Sequence, residues 1–140
     1  MQFSLAAIWA IGKDVIGWFL RRRKRICLLV VEDNPTDAEL TEAKIHKLGW
    51  ACDVVSSAEG AFPLLQEKQH PVVLLDLRLP YESGAHLAGR ILKRFPDTHV
   101  VIMAGDGSDA ARVLCGMYFG LILKPVTPDA LRDIFRKPKK

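Results

Sequence analysis

Cysteine is scarce in this chain, and none of it is paired. The three residues, Cys27, Cys52 and Cys115, are widely spaced and form no Cys-x-x-Cys motif. An odd count without zinc-type spacing excludes a disulfide framework and points to a reducing compartment. Cys27 and Cys52 fall within apolar runs, where a free thiol behaves as a small hydrophobe. The chain also lacks an internal repeat and a low-complexity linker. Its 140 residues therefore suit one ordinary domain rather than two.

An excess of one charge is missing from most of the sequence. Residues 1–25 hold six basic side chains against Asp14, a net +5, and the remaining 14 basic and 15 acidic residues give −1. The overall +4 thus belongs to a short tail. A near-neutral body offers no broad basic surface, so no nucleic-acid partner is expected.

Polar alternation is absent from the apolar runs as well. These are ICLLVV (26–31), CDVV (52–55), VVLLD (72–76), HVVIM (99–103) and GLIL (120–123). Short Val/Ile/Leu runs of this kind suit strands buried on both faces, as in a parallel sheet. Between them lie segments of helical spacing. In 36–48 the apolar side is Ala38, Leu40, Ala43, Ile45 and Leu48, with Gly49 as the stop. In 84–95 it is Leu87, Ala88, Ile91, Leu92 and Phe95, with Pro96 following. Thr127 and Pro128 read as a cap and first turn before Ala130, Leu131, Ile134 and Phe135. Segment 57–69 is a weaker helix, because Pro63 sits inside it. The β-α order recurs five times, which predicts an α/β doubly wound fold with a parallel sheet.

In such sheets the working site lies beyond the carboxyl ends of the strands. Strand one ends in Glu32-Asp33, strand three in Asp76 and strand five in Lys124-Pro125. A lone aspartate at a strand end is most often a turn or cap residue, and each of the other signals is weak alone. Together they place three carboxylates and one ammonium at a single edge. Carboxylates so grouped raise a pKa or bind a cation. Oxygen ligands alone favour Mg2+ over a transition metal. A phosphoryl group fits between Mg2+ and Lys124, and Asp76, on the central strand, is the candidate nucleophile.

The stretches VVEDNPTDAEL, LLDLRLPYESG and LILKPVTPDAL resemble the response-regulator receiver domain of two-component signalling. The resemblance spans about residues 26–137. It rests on the acidic pair after strand one, on Asp76 with Pro80 and Gly84 following, and on Lys124-Pro125. It implies a flavodoxin-like (βα)5 fold with sheet order 2-1-3-4-5, and an Asp76 that accepts a phosphoryl group from a histidine kinase or histidine phosphotransfer protein. It further implies Mg2+ held by Asp33, Asp76 and the backbone carbonyl of Arg78, with Glu32 acting through water. Lys124 would contact the phosphoryl group, and Gly84 would relax the loop after Pro80. Output would pass by contact with a downstream protein, without enzymatic turnover.

Two positions depart from the pattern. The family usually carries Thr or Ser at the end of strand four and an aromatic residue three before the lysine; here these are Ala104 and Leu121. Both halves of the usual switch are missing. The stretch from Ala104 to Lys124 is also slightly short, which would trim the helix between strands four and five. A second reading is therefore a degenerate receiver that binds protein without phosphorylation. A third, a metal-dependent phosphohydrolase, is weaker: such enzymes usually place the nucleophile on strand one with a second Asp two residues on, and here Arg78 holds that offset from Asp76.

The tail forms its own unit. Residues 1–20 are apolar and RRRKR follows. A span needs about 20 apolar residues, but Lys13 and Asp14 would each cost roughly 2.5–3.5 kcal/mol at its centre. An amphipathic helix at the inner membrane surface, with the basic run on anionic lipid, is one expectation. A helix packed on protein, a true span and a misassigned start are the others. The order of charge and apolar stretch does not suit a secretory signal. The expected division is 1–25 tail, 26–137 receiver domain and 138–140 basic end, with no output domain after it and a cytoplasmic location.

Overall fold

The computed structural model describes residues 26–68, 70–105 and 120–136. The elements run β1 (Cys27–Val31), α1 (Pro35–Lys47), β2 (Ala51–Val55), α2 (Ala58–Glu67), β3 (Val72–Asp76), α3 (Gly84–Arg94), β4 (His99–Ala104), β5 (Gly120–Leu123) and α4 (Pro128–Arg136). The five strands form one sheet in the order β2-β1-β3-β4-β5. Every pairing is parallel. This is the expected flavodoxin-like order.

Successive residues of a strand point to opposite faces, so each run feeds two cores. Leu28, Val30, Leu74, Val101, Met103 and Ile122 pack on one face with Ile45 of α1 and Leu131 and Ile134 of α4. Leu29, Val31, Val73, Leu75, Val100 and Ile102 pack on the other with Leu65 of α2 and Leu87, Ala88 and Ile91 of α3. The central β3 is buried throughout.

Two expectations change. The runs were all expected to be buried on both faces, yet β2 and β5 are only partly covered because they are the sheet's edges. Leu40 was expected on the apolar side of its helix, but it is 51% exposed and Thr41 is buried instead. Thr41 follows Ala38 by three residues and precedes Ile45 by four, so these three share the inward stripe. Helix α2 runs through Pro63, which lies on its exposed side. Burial of Ala61 and Leu65 offsets a penalty of about 3 kcal/mol for proline in a helix interior.

Local chemistry marks the helix ends. Asn34 Oδ1 accepts the Asp37 N–H at 3.0 Å, Ser83 Oγ the His86 N–H at 3.1 Å, and Thr127 Oγ1 the Ala130 N–H at 3.1 Å. Gly49 ends α1 with a φ of 79°, in the left-handed region that glycine adopts without strain.

The predicted N-terminal helix, the 138–140 end and most of the connection between β4 and β5 lie outside the described residues. Among the described residues, no helix is long and apolar enough to cross a membrane.

Candidate functional site

The carboxyl edge of the sheet gathers the charged groups. β1 runs out at Val31, so Glu32 and Asp33 follow at the edge. Asp76 is the last residue of β3. β5 ends at Leu123, and the Lys124 N–H donates to the Ala104 carbonyl at 2.8 Å, which holds the lysine at the same edge. Val31 lies opposite Leu75 in the β1–β3 register, so Glu32 comes level with Asp76.

The Lys124 ammonium is the hub. Its Nζ lies 2.6 Å from Glu32 Oε1, 3.3 Å from Asp76 Oδ2 and 3.3 Å from Asp37 Oδ2. Asp37 is a partner that the motif reading did not include. The available signal was its place in the first turn of α1, three residues after the Asn34 cap. Asp76 Oδ1 accepts the Arg78 N–H at 3.1 Å, which fixes the carboxylate's rotamer. Together these groups border an open cleft of about 450 Å3 lined by Asp37, Asp76, Leu77, Arg78, Ala104, Gly105 and Lys124.

Glu32, Asp33 and Asp76 each offer a carboxylate oxygen within 4.8 Å of the others. Asp33 is exposed, so solvent reaches the group, whereas Glu32 and Asp76 are buried. Glu32 Oε2 is buried with no hydrogen-bond partner among the described residues. An orphaned carboxylate oxygen beside two further carboxylates fits a hard divalent cation such as Mg2+.

The remaining positions fall around this core. Ala104 is buried at the end of β4 and lines the cleft without a hydroxyl. Leu121 is half-buried against the α3-side core. Pro80 is exposed in the loop after β3, and Pro125 follows a cis peptide bond from Lys124. Gly84 is not a loop residue. It opens α3, is buried, and donates its N–H to the Leu77 carbonyl at 2.8 Å. A Cβ there would lie 2.2 Å from the Asp76 backbone oxygen. The glycine therefore permits a close approach of helix to strand.

Burial, helped by the neighbouring Asp76 carboxylate, pushes the Glu32 carboxyl up from 4.5 to about 8. Burial opposes the charge of Lys124, but Glu32 and Asp76 outweigh it and hold the ammonium above its usual range. The consequence for stability has a definite sign. Between about 4.5 and 8 the folded protein keeps a Glu32 proton that the unfolded chain has lost. Metal-free stability should therefore fall as pH rises through that window. Lys124 leaves this slope unchanged, since its raised value matters only above the usual 10.5. Glu32→Gln should flatten the slope and add on the order of 2 kcal/mol at pH 8. Urea denaturation in a chelating buffer at several pH values measures it; an unchanged slope in the variant would refute the assignment.

Comparison with known proteins gives a consistent set of likenesses. The response regulator receiver domain model matches residues 28–136. The response regulator protein PilR of Pseudomonas aeruginosa is 31% identical over 108 residues, which is 76% of this chain and 24% of that protein. This chain thus spans about a quarter of that relative. A CheY-like receiver domain from Methylobacillus flagellatus is 26% identical with a TM-score of 0.71, covering 81% of this chain and 98% of that one. TrrA of Thermotoga maritima, solved in complex with Mg2+ and BeF, is 23% identical with a TM-score of 0.69, covering 79% and 96%. At that identity the last likeness concerns the fold alone.

Proposed function

The chain belongs to the response-regulator receiver family, and we propose that it is a phosphoacceptor in a two-component relay, phosphorylated on Asp76. One observation carries the reading. Asp76 stands within 3.3 Å of the Lys124 ammonium and shares a 4.8 Å cluster with Glu32 and Asp33. A nucleophile, its counter-charge and a cation-binding group thus stand together at the carboxyl edge of the sheet.

An oxygen of the Asp76 carboxylate attacks the phosphorus of a phosphohistidine on a kinase or phosphotransfer protein. The new O–P bond forms as the N–P bond breaks, and the imidazole nitrogen keeps the electron pair. The Arg78 N–H holds Oδ1, and Lys124 stands beside Oδ2. Lys124 can then turn to a phosphoryl oxygen without leaving the cleft. Asp33 and Asp76, with the Arg78 carbonyl, would hold Mg2+, and Glu32 would act through water. Bound Mg2+ supplies charge neutralisation for the carboxylates and the phosphoryl oxygens.

The presence of all these groups favours phosphoacceptance over a phosphorylation-independent binding module. Ala104 withholds one donor from the phosphoryl oxygens, so transfer is slow, and with Leu121 it leaves the usual hydroxyl–aromatic switch unbuilt. Ala104→Thr should speed phosphorylation about tenfold or more, read as the rate of mass gain. Output passes by protein contact.

The test uses a small phosphodonor. With Mg2+ and acetyl phosphate, intact mass should show one added phosphoryl group, and a chelator should suppress it. Absence of the gain with Mg2+ present would sink the proposal. Catalytic turnover of a phosphate ester would replace it with the enzyme reading.

A further inference from the structure

A second cluster lies toward the opposite edge of the sheet. Cys27 opens β1, Asp53 is the middle residue of β2, and His70 stands two residues before β3. One ligand atom from each lies within 4.8 Å of the others. His70 Nε2 is 2.8 Å from Asp53 Oδ2, and Cys27 Sγ is 3.8 Å from the same oxygen. The imidazole is fully buried, whereas 25% of the Asp53 side chain remains exposed.

The histidine is incompletely satisfied. His70 Nδ1 is buried with no hydrogen-bond partner among the described residues. Burying a polar atom in that state costs about 1–3 kcal/mol. Among the described residues the ring's polar contact is made by Nε2, which faces the Cys27–Asp53 pair and is the candidate ligand atom.

We propose that Cys27, Asp53 and His70 form a Zn2+ site, separate from the acidic cleft, with its fourth position open to water. Nitrogen, oxygen and sulfur donors together suit a borderline-soft ion and not Mg2+. Zinc bonds of about 2.0–2.3 Å at tetrahedral angles place ligand atoms about 3.3–3.8 Å apart. The Cys27–Asp53 distance of 3.8 Å already matches, and the Asp53–His70 contact of 2.8 Å opens slightly. His70 and Lys68 hold the Asp53 carboxyl below its usual range, so that ligand is charged. On binding, Cys27 releases its proton to solvent. Thiolate and carboxylate then balance the ion, and the Lys68 ammonium, 3.3 Å from Asp53 and half-exposed, leaves for water.

A rival cluster, Glu42, His46 and Cys52, lies across the sheet. Burial raises both thiols, Cys27 with help from Asp53 and Cys52 with help from Glu42, so what sets the rival apart is its exposed histidine against the fully buried His70 imidazole. That rival cluster serves as the internal control.

The full chain, stripped of metal, is titrated with Co2+ as a spectroscopic stand-in and then with Zn2+. With Mg2+ in excess to fill the acidic cleft, wild type should take one equivalent of Co2+, show ligand-field bands with a thiolate charge-transfer band, and lose them to Zn2+. Cys27→Ser should abolish the charge-transfer band, and Asp53→Asn should weaken binding about tenfold or more. Cys52→Ser and Cys115→Ser should bind like wild type. Cys27→Ser alters one atom of a partly exposed side chain, and circular dichroism verifies its fold. Absence of a thiolate band in wild type, or its loss with Cys52→Ser or Cys115→Ser instead, would overturn the proposal. Neither outcome bears on Asp76.

Discussion

Asp76→Asn should leave the protein folded and abolish its phosphoryl gain from acetyl phosphate. The amide keeps the shape of the carboxylate, and its oxygen can still accept the Arg78 N–H that now lies 3.1 Å away. It is not a nucleophile, so no O–P bond forms. The substitution also removes one negative charge near Asp33 and Asp37 and one partner of the Lys124 ammonium. These effects oppose each other, so stability should change by no more than about 1 kcal/mol. Intact mass and urea denaturation read the two effects. A full mass gain in the variant would move the acceptor to another carboxylate, with Asp33 and Asp37 the nearest candidates.

Gly84→Ala should be the most damaging small substitution near the site. The added Cβ would meet the Asp76 carbonyl oxygen at 2.2 Å, the Leu77 Cα at 2.8 Å and the Asp76 carbonyl carbon at 3.0 Å. All three are backbone atoms, so no rotamer change relieves the clash. Helix α3 must move off the end of β3. That strains the Gly84 N–H bond to Leu77 and the Arg78–Ser83 bridge. Overpacking of this kind costs about 1–3 kcal/mol and more where backbone must shift; about 3 kcal/mol is expected here. Because the displaced atoms belong to Asp76, phosphorylation should also slow. Gly89→Ala is the control: no atom lies within 4 Å of its Cβ, and the position is exposed in mid-helix. It should gain about 0.5–1 kcal/mol from helix propensity. Equal stability of the two variants in urea would refute the close-approach account.

These two residues were legible to different degrees. Asp76 is visible because a charge closing the apolar run VVLLD needs a partner, and the strand-end rule supplies the candidates. Gly84 is visible only as a spacing. Its reason, the 2.2 Å approach, is a distance between helix and strand that no local pattern encodes. Asp37 was missed for a similar cause. It contacts Lys124 across 87 residues of sequence, and its nearest local role is in a helix's first turn.

By itself the sequence determined the sheet. Apolar runs too short for helices must be buried as strands, the intervening segments carry helical spacing, and parallel connection sends every strand's carboxyl end to one edge. That reasoning was enough to bring Glu32, Asp33, Asp76 and Lys124 together. Apolar content alone did not say which runs lie at the edges; the order that places CDVV and GLIL there came from the family resemblance. Nor could it tell that Thr41 faces inward while Leu40 faces water, because adjacent helix positions differ by about 100° and the stripe's exact centre is set by what it meets. The meeting of Cys27, Asp53 and His70 is likewise a product of register between β1 and β2 and of the path into β3. Tertiary structure decided those matters because they depend on distances between elements, whereas the sequence encodes periodicity within them.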